Sequence, residues 1–321
     1  LTRALERLED GLLDAPILEA VIARREAGAR RPADERNAAA LTHELCRFQD
    51  ADGSWGGSLV RTAEALLLMH ALTPDPDDRV RAGVSRAGEW IRTREGIEGA
   101  FGEGCDPARH SAGLCSHVLA GFFSPAPASA DLTGLTLAVP ARFGSDADAR
   151  LGASCVALLA LLHWGFSGAD IEVHLASLRQ LVSGDSLGGL PDGSAGGFVA
   201  AVTALLAAPP DDARAAAVRA GIARLLRMQR ADGSWPGADT FHVLDLLLRA
   251  SAQGLGGDAV DGAIQRAVEM LALLQRADGS WGRETGSERM LVGWRALRHA
   301  VGLRAGAAGA VRDAAAASRS P

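Results

Sequence analysis

The sequence predicts an all-α protein built from repeated helical hairpins. Three observations lead there: a helix-favouring composition, a turn string that recurs at a fixed period, and paired helical patterns between the turns. Alanine and leucine dominate the 48% of residues that are apolar, and tyrosine is absent. That mix favours helix over sheet. A length of 321 residues is enough for one large domain or two ordinary ones.

Self-comparison supplies the strongest signal. Gln49-Asp50-Ala51-Asp52-Gly53-Ser54-Trp55 returns almost unchanged at Gln229 to Trp235 and at Gln275 to Trp281. The last two copies start 46 residues apart, and the first two start 180 apart, or four periods of 45. Degenerate copies are therefore expected near 94, 139 and 184. Arg94 to Gly102, Val139 to Gly144 and Gly184 to Leu190 keep glycine but not tryptophan.

Each period carries two helical patterns. Those before the turns, about 34–48, 77–93, 128–142, 169–183, 211–228 and 258–275, are amphipathic with charged faces. Those after the turns, about 58–72, 107–123, 148–164, 194–207, 239–252 and 287–301, are more apolar. The run Cys155 to Leu162 is the clearest case. An amphipathic layer around an apolar one describes two concentric rings of helices. A further helix precedes residue 28. Residues 1–303 read as a single domain, and the Ala-rich tail at 304–321 as frayed.

In the recurring string, Asp-Gly supplies a tight turn with positive φ, serine can cap, and glutamine can satisfy helix-end backbone groups. Tryptophan adds a large plate for packing, so the string reads as a clasp between repeats. It is similar to the QW motif of squalene-hopene and oxidosqualene cyclases. With its period, it identifies residues 34–301 as resembling the superfamily of those enzymes, class II terpene cyclases and protein prenyltransferases. The resemblance implies closure of the six hairpins into an (α/α)6 toroid, with the N-terminal helix as an addition. Neither end shows the polar capping repeat that an open solenoid needs.

Class II cyclases protonate an alkene or epoxide with an aspartic acid of a DxDD motif at the start of an inner helix. Asp75-Pro76-Asp77-Asp78 has that spelling, but it follows Pro74 and opens an outer helix. Pro209-Pro210-Asp211-Asp212 does the same later in the chain, so both read as helix starts. Asp146-Ala147-Asp148-Ala149 precedes the most apolar inner helix and resembles the motif with its last aspartate replaced by Ala149. It stands about one turn early relative to the family's apolar run. The resemblance implies Asp148 as proton donor with Asp146 supporting it; helix capping by the same acids is the competing reading.

The prenyltransferase branch uses zinc held by Asp, Cys and His. Asp192-Gly193-Ser194 and Asp239-Thr240-Phe241-His242 resemble the stretches that carry those ligands, but serine stands where the thiolate should be. No metal and no cofactor are expected. Six of the eight histidines fall on inner helices. Among them His110 and His117 share a face with Asp106. With Phe198, Phe241, His242 and Trp294 they are the candidates for the wall of a ligand cavity.

The net charge is −6, with no Lys/Arg block, which argues against nucleic acid. Four scattered cysteines without a CxxC pair read as reduced thiols in a cytoplasmic protein. No uncharged run reaches membrane-spanning length, so membrane contact would be peripheral. The expected ligand is a hydrophobic isoprenoid. Three functions stay open: a small class II-like cyclase, a toroid that binds an isoprenoid or a protein partner without catalysis, and a zinc prenyltransferase-like transferase.

Overall fold

The computed structural model describes residues 1–93, 146–184, 195–281 and 287–317, with residues 146–150, 287–288 and 307–317 as backbone only. Among them are twelve α-helices and no strand. In chain order they fall into six successive couples, each an outer helix followed by an inner one. These are α1 (Thr2–Leu12) with α2 (Leu18–Glu26), α3 (Pro32–Arg47) with α4 (Leu59–Leu72), and α5 (Asp78–Arg92) with α6 (Asp146–His163). The remaining three are α7 (Ala169–Ser183) with α8 (Gly196–Ala207), α9 (Asp212–Met228) with α10 (Thr240–Ala252), and α11 (Gly257–Leu274) with α12 (Ser287–Ala317).

The pattern of buried residues explains the two layers. Helices α6 and α8 are apolar on every side, and the described side chains from Leu151 to Leu161 and Gly196 to Leu205 are buried. They pack closely on each other, and both carry buried small residues such as Ala153, Ala157, Ala200 and Ala204. Outer helices bury only a stripe; in α5 it comprises Val80, Val84, Ala87 and Ile91. One apolar cluster runs from Ala4 to Ala300.

The three Gln-to-Trp turns are joints between neighbouring hairpins. Gln49 Nε2 donates to Gly53 O inside its own turn and to Gly83 O on the next outer helix, both at 2.8 Å. Trp55 Nε1 donates to Leu45 O at 3.0 Å, one of the carbonyls left without an intrahelical partner at the end of α3. Gln229 repeats the first pair on Gly233 O and Ala263 O, and Trp235 the second on Leu225 O. Arg86 and Arg266 close the joints by donating to the oxygens of Gln49 and Gln229.

The last joint closes the ring. Gln275 Nε2 donates to Gly279 O and to Ala4 O, 271 residues away. Gly279 has φ +82°, and a Cβ there would lie 2.8 Å from Arg7 O. Helix α1 therefore occupies the seat that α5 and α11 occupy at the other two joints. The far side of the N-terminal hairpin is fixed by a buried fork: Arg24 Nη2 and Nε donate to Asp34 at 2.5 and 2.8 Å. Arg24 thereby holds the Asp34 carboxyl below its ordinary range.

The six-hairpin ring expected from the repeat is present, but its membership differs from the sequence expectation. The N-terminal segment contributes two helices, broken around Pro16, and these form one of the six hairpins. The expected helices at 107–123 and 128–142 lie outside the described residues. Helix α4 packs directly on α6, and Trp164 Nε1 donates to Leu66 O at 2.8 Å. Arg92 of α5 pairs with Asp170 of α7 at 2.7 Å, and Phe166 lies where a Cβ on Gly88 would stand. The final helix continues as backbone to Ala317.

Asp77 and Asp211 are N-caps. Asp77 Oδ1 accepts from Val80 N at 2.9 Å, and Asp211 Oδ1 from Arg214 N at 2.7 Å. Those backbone hydrogen bonds hold both carboxyls below their usual pKa. Asparagine caps about as well as aspartate. Asp77→Asn is therefore expected to leave the melting temperature within about 2 °C and any turnover unchanged, as read by thermal denaturation and product assay.

Candidate functional site

Each inner helix starts at the clasp end of the ring and finishes at the other. The acidic pair sits at the clasp end: Asp146 and Asp148 lie in the first turn of α6. Their side chains, together with His110, His117 and Ser194, lie outside the described part of the structure. The placement fits either a proton donor or a helix cap.

The four described wall candidates are all buried. Phe198 is covered by α9, whose Arg224 guanidinium stands 5.4 Å from its ring centroid. Phe241 packs on Trp281 of the last clasp at 5.4 Å, with Arg289 5.6 Å over its face. Arg289 also pairs with Asp239, the N-cap of α10, at 2.7 Å. His242 is buried beside them. Trp294 sits two turns along α12, donates Nε1–H to Glu9 of α1 at 3.1 Å, and carries Arg298 over its ring at 4.6 Å.

At the opposite end, where the inner helices finish, two hollows lie side by side. The larger, about 730 Å³, is lined by Leu162, His163, Leu206, Arg214, Arg249 and Gln253 among others. The smaller, about 480 Å³, includes Glu26, Asp245, Trp294, Arg295 and Arg298 in its wall. Arg249 belongs to both.

A chain of charges crosses between them. Arg249 Nε donates to Asp245 at 2.8 Å, Arg295 reaches the other oxygen of Asp245 at 3.4 Å, and Arg295 also grips Glu26 at 2.5 Å. Burial alone would raise the Asp245 carboxyl, but Arg249 and Arg295 override it and hold it low. Burial works against charge on Arg295 as well, and its bond to Glu26 together with the Asp245 charge keeps it protonated. Desolvation lowers His163 to about 4, helped by His70 and Arg249. Its ring lies 4.7 Å from that of His70, which packs edge-on against Trp164.

Sequence reasoning missed this network because its members come from α2, α10 and α12. Only the Asp245/Arg249 spacing of four was a local signal. Among the described residues no group of three or more His, Cys, Asp or Glu is placed to hold a metal ion. None of the helices there is long and apolar enough to cross a membrane.

These histidines set an acid limit to stability. His163 and His174 both sit near 4, from 6.5, because burial disfavours their charge. The unfolded chain therefore binds protons that the folded chain refuses between those values. Stability falls as pH drops from about 6.5 to about 4. The lowered aspartates Asp34 and Asp245 act in a different window, losing their contribution only below about 4. For His174, 1% exposed, the limb amounts to roughly 3 kcal/mol. Urea melts at pH 7 and pH 5 should show His174→Leu flattening the difference.

No family model and no curated protein matches the sequence. Solved structures do. A variant of the type II terpene cyclase MstE from Scytonema, in complex with its substrate geranylgeranyl dihydroxybenzoate, superposes with a TM-score of 0.53 at 14% identity. That match covers 93% of this chain and 97% of that one. A crystal structure of a protein from Actinoplanes matches with the same score at 18% identity, over 94% and 99% of the two chains. The chain has the all-α toroidal fold of a type II terpene cyclase.

Proposed function

We propose that this protein is a small isoprenoid cyclase of the class II type, starting its reaction by protonating an alkene or epoxide. Asp148 is the donor and Asp146 the neighbour that keeps it protonated. The observation that carries the reading is the place of the pair: Asp146 and Asp148 open α6, an inner helix of a ring that matches a type II terpene cyclase over nearly its whole length. The neighbour's substrate is geranylgeranyl dihydroxybenzoate, which supports a hydrophobic isoprenoid as the ligand class.

The chemistry asks little more of the chain than an acid, a cavity and exclusion of water. Addition of H⁺ to a terminal double bond or epoxide oxygen leaves a carbocation that the remaining double bonds attack in turn, and loss of a proton ends the sequence. Asp148 would hold the first proton at its carboxyl oxygen. With Ala149 where the motif has a third acid, the donor is the weaker for it. A reactive, epoxide-like substrate is the expected partner. Incubation with polyprenols, their terminal epoxides and prenyl diphosphates, followed by mass spectrometry, tests the reading. An isomeric cyclic product from at least one is expected, and recovery of every substrate unchanged would leave a binding toroid.

A further inference from the structure

The larger hollow lies at the wrong end of the ring for the acidic pair. Fifteen residues of α6 separate Asp148 from His163, about 22 Å at 1.5 Å per residue. It is nevertheless built like a ligand site. At about 730 Å³ it falls in the usual range for small-molecule pockets, and Leu162, Leu205, Leu206, Val218 and Leu255 make its wall mostly apolar. Among the described residues the lining contains two arginines and no acid.

The arginines are presented differently. Arg214 is anchored on Glu172, Asp211 and the Pro209 carbonyl, and its buried Nε has no hydrogen-bond partner among the described residues. Arg249 is anchored from behind through Nε to Asp245. Among the described residues nothing bonds its two terminal amino groups, the edge of the guanidinium that forks onto a carboxylate. Asp245 thus orients a cation without covering it, and the Arg249 charge is felt by both His163 and His70. The carbonyl ends of α8 and α10 face the same way and oppose an anion. However, Gln253 already covers Leu206 O and Arg214 covers Pro209 O. A full guanidinium charge at contact distance outweighs what remains.

We propose that this hollow is a second binding site, for a long apolar monocarboxylate whose head is gripped by Arg249. One free guanidinium fork matches a single carboxylate, whereas a diphosphate would bring more negative charge than the wall can neutralise. The site is separate from Asp148 and does not depend on the cyclase reading.

Calorimetric titration of the full chain with farnesoic acid, farnesol and farnesyl diphosphate tests it. The acid should bind at least ten-fold more tightly than the alcohol and more tightly than the diphosphate. Arg249→Gln should erase the preference for acid over alcohol. Ala215→Trp, which fills the hollow from the half-buried face of α9, should weaken both without touching the charge chain. Asp148→Asn should bind the acid as the unmodified chain does, which separates this site from the reading above. Equal affinity for acid and alcohol, no binding of the acid, tighter binding of the diphosphate, or a preference that survives Arg249→Gln in a folded protein would each overturn it.

Discussion

Asp148→Asn should abolish the proposed cyclisation while the protein folds and melts as before. The amide keeps the size and shape of the carboxyl and still accepts hydrogen bonds, but it has no proton to give. Positioned general acids contribute roughly 10²–10⁴-fold to a rate. In the proposed reaction the proton starts the sequence, so the loss should reach at least the top of that range. A helix N-terminus by itself favours the carboxylate form. The protonated state must therefore come from burial and from the like charge of Asp146 two residues away. Turnover should decline on the alkaline side of a pKa that belongs to the pair and not to either residue. Asp146→Asn should shift that limb to lower pH while leaving activity below it. Ala149→Asp, which restores the full DxDD spelling, should raise the rate. Normal turnover by Asp148→Asn, measured as product formed per enzyme by mass spectrometry, would reduce the pair to a helix cap.

The clasps were legible from sequence because all their parts are local. Glutamine, Asp-Gly, serine and tryptophan stand within seven residues, and the period pointed to a ring of helical repeats. The partner side of each joint was harder to see. The structure shows Gln49, Gln229 and Gln275 docking on Gly83, Ala263 and Ala4. Around those points the sequence reads Gly83-Val84-Ser85-Arg86, Ala263-Ile264-Gln265-Arg266 and Ala4-Leu5-Glu6-Arg7. A small residue, then an aliphatic one, then arginine three places on, is the mark of the receiving helix. It would have placed α1 inside the ring. What no local pattern could reveal is the chain Arg249–Asp245–Arg295–Glu26, because its ends are more than 200 residues apart and meet only when the ring closes. The neighbours of the expected wall residues were equally hidden: Phe241 meets Trp281, and the Arg224 guanidinium stands 5.4 Å from the Phe198 ring centroid.

Trp281→Ala should destabilise the protein by about 3–5 kcal/mol, the usual cost of truncating a packed large aromatic. Three contacts make this tryptophan the most demanding of the clasps. Its Nε1 donates to Leu271 O at 2.7 Å, so the mutation strips a carbonyl at the end of α11 of its partner. Its six-membered ring lies against Gly293 of α12, where a Cβ would stand 2.4 Å from Cζ3, so Gly293 itself offers no side chain to fill the void. Its other face meets Phe241 of α10. Three helices would lose a shared wedge at the joint where Gln275 holds α1. Denaturant melts followed by circular dichroism should show the midpoint falling with little change in slope, and limited proteolysis should cut first before residue 28. Trp55→Ala, at a joint between hairpins adjacent in sequence, should cost a similar amount but leave the N-terminus protected. An unchanged melting curve for Trp281→Ala, accompanied by altered ligand binding, would make this residue part of the ligand site and not of the ring.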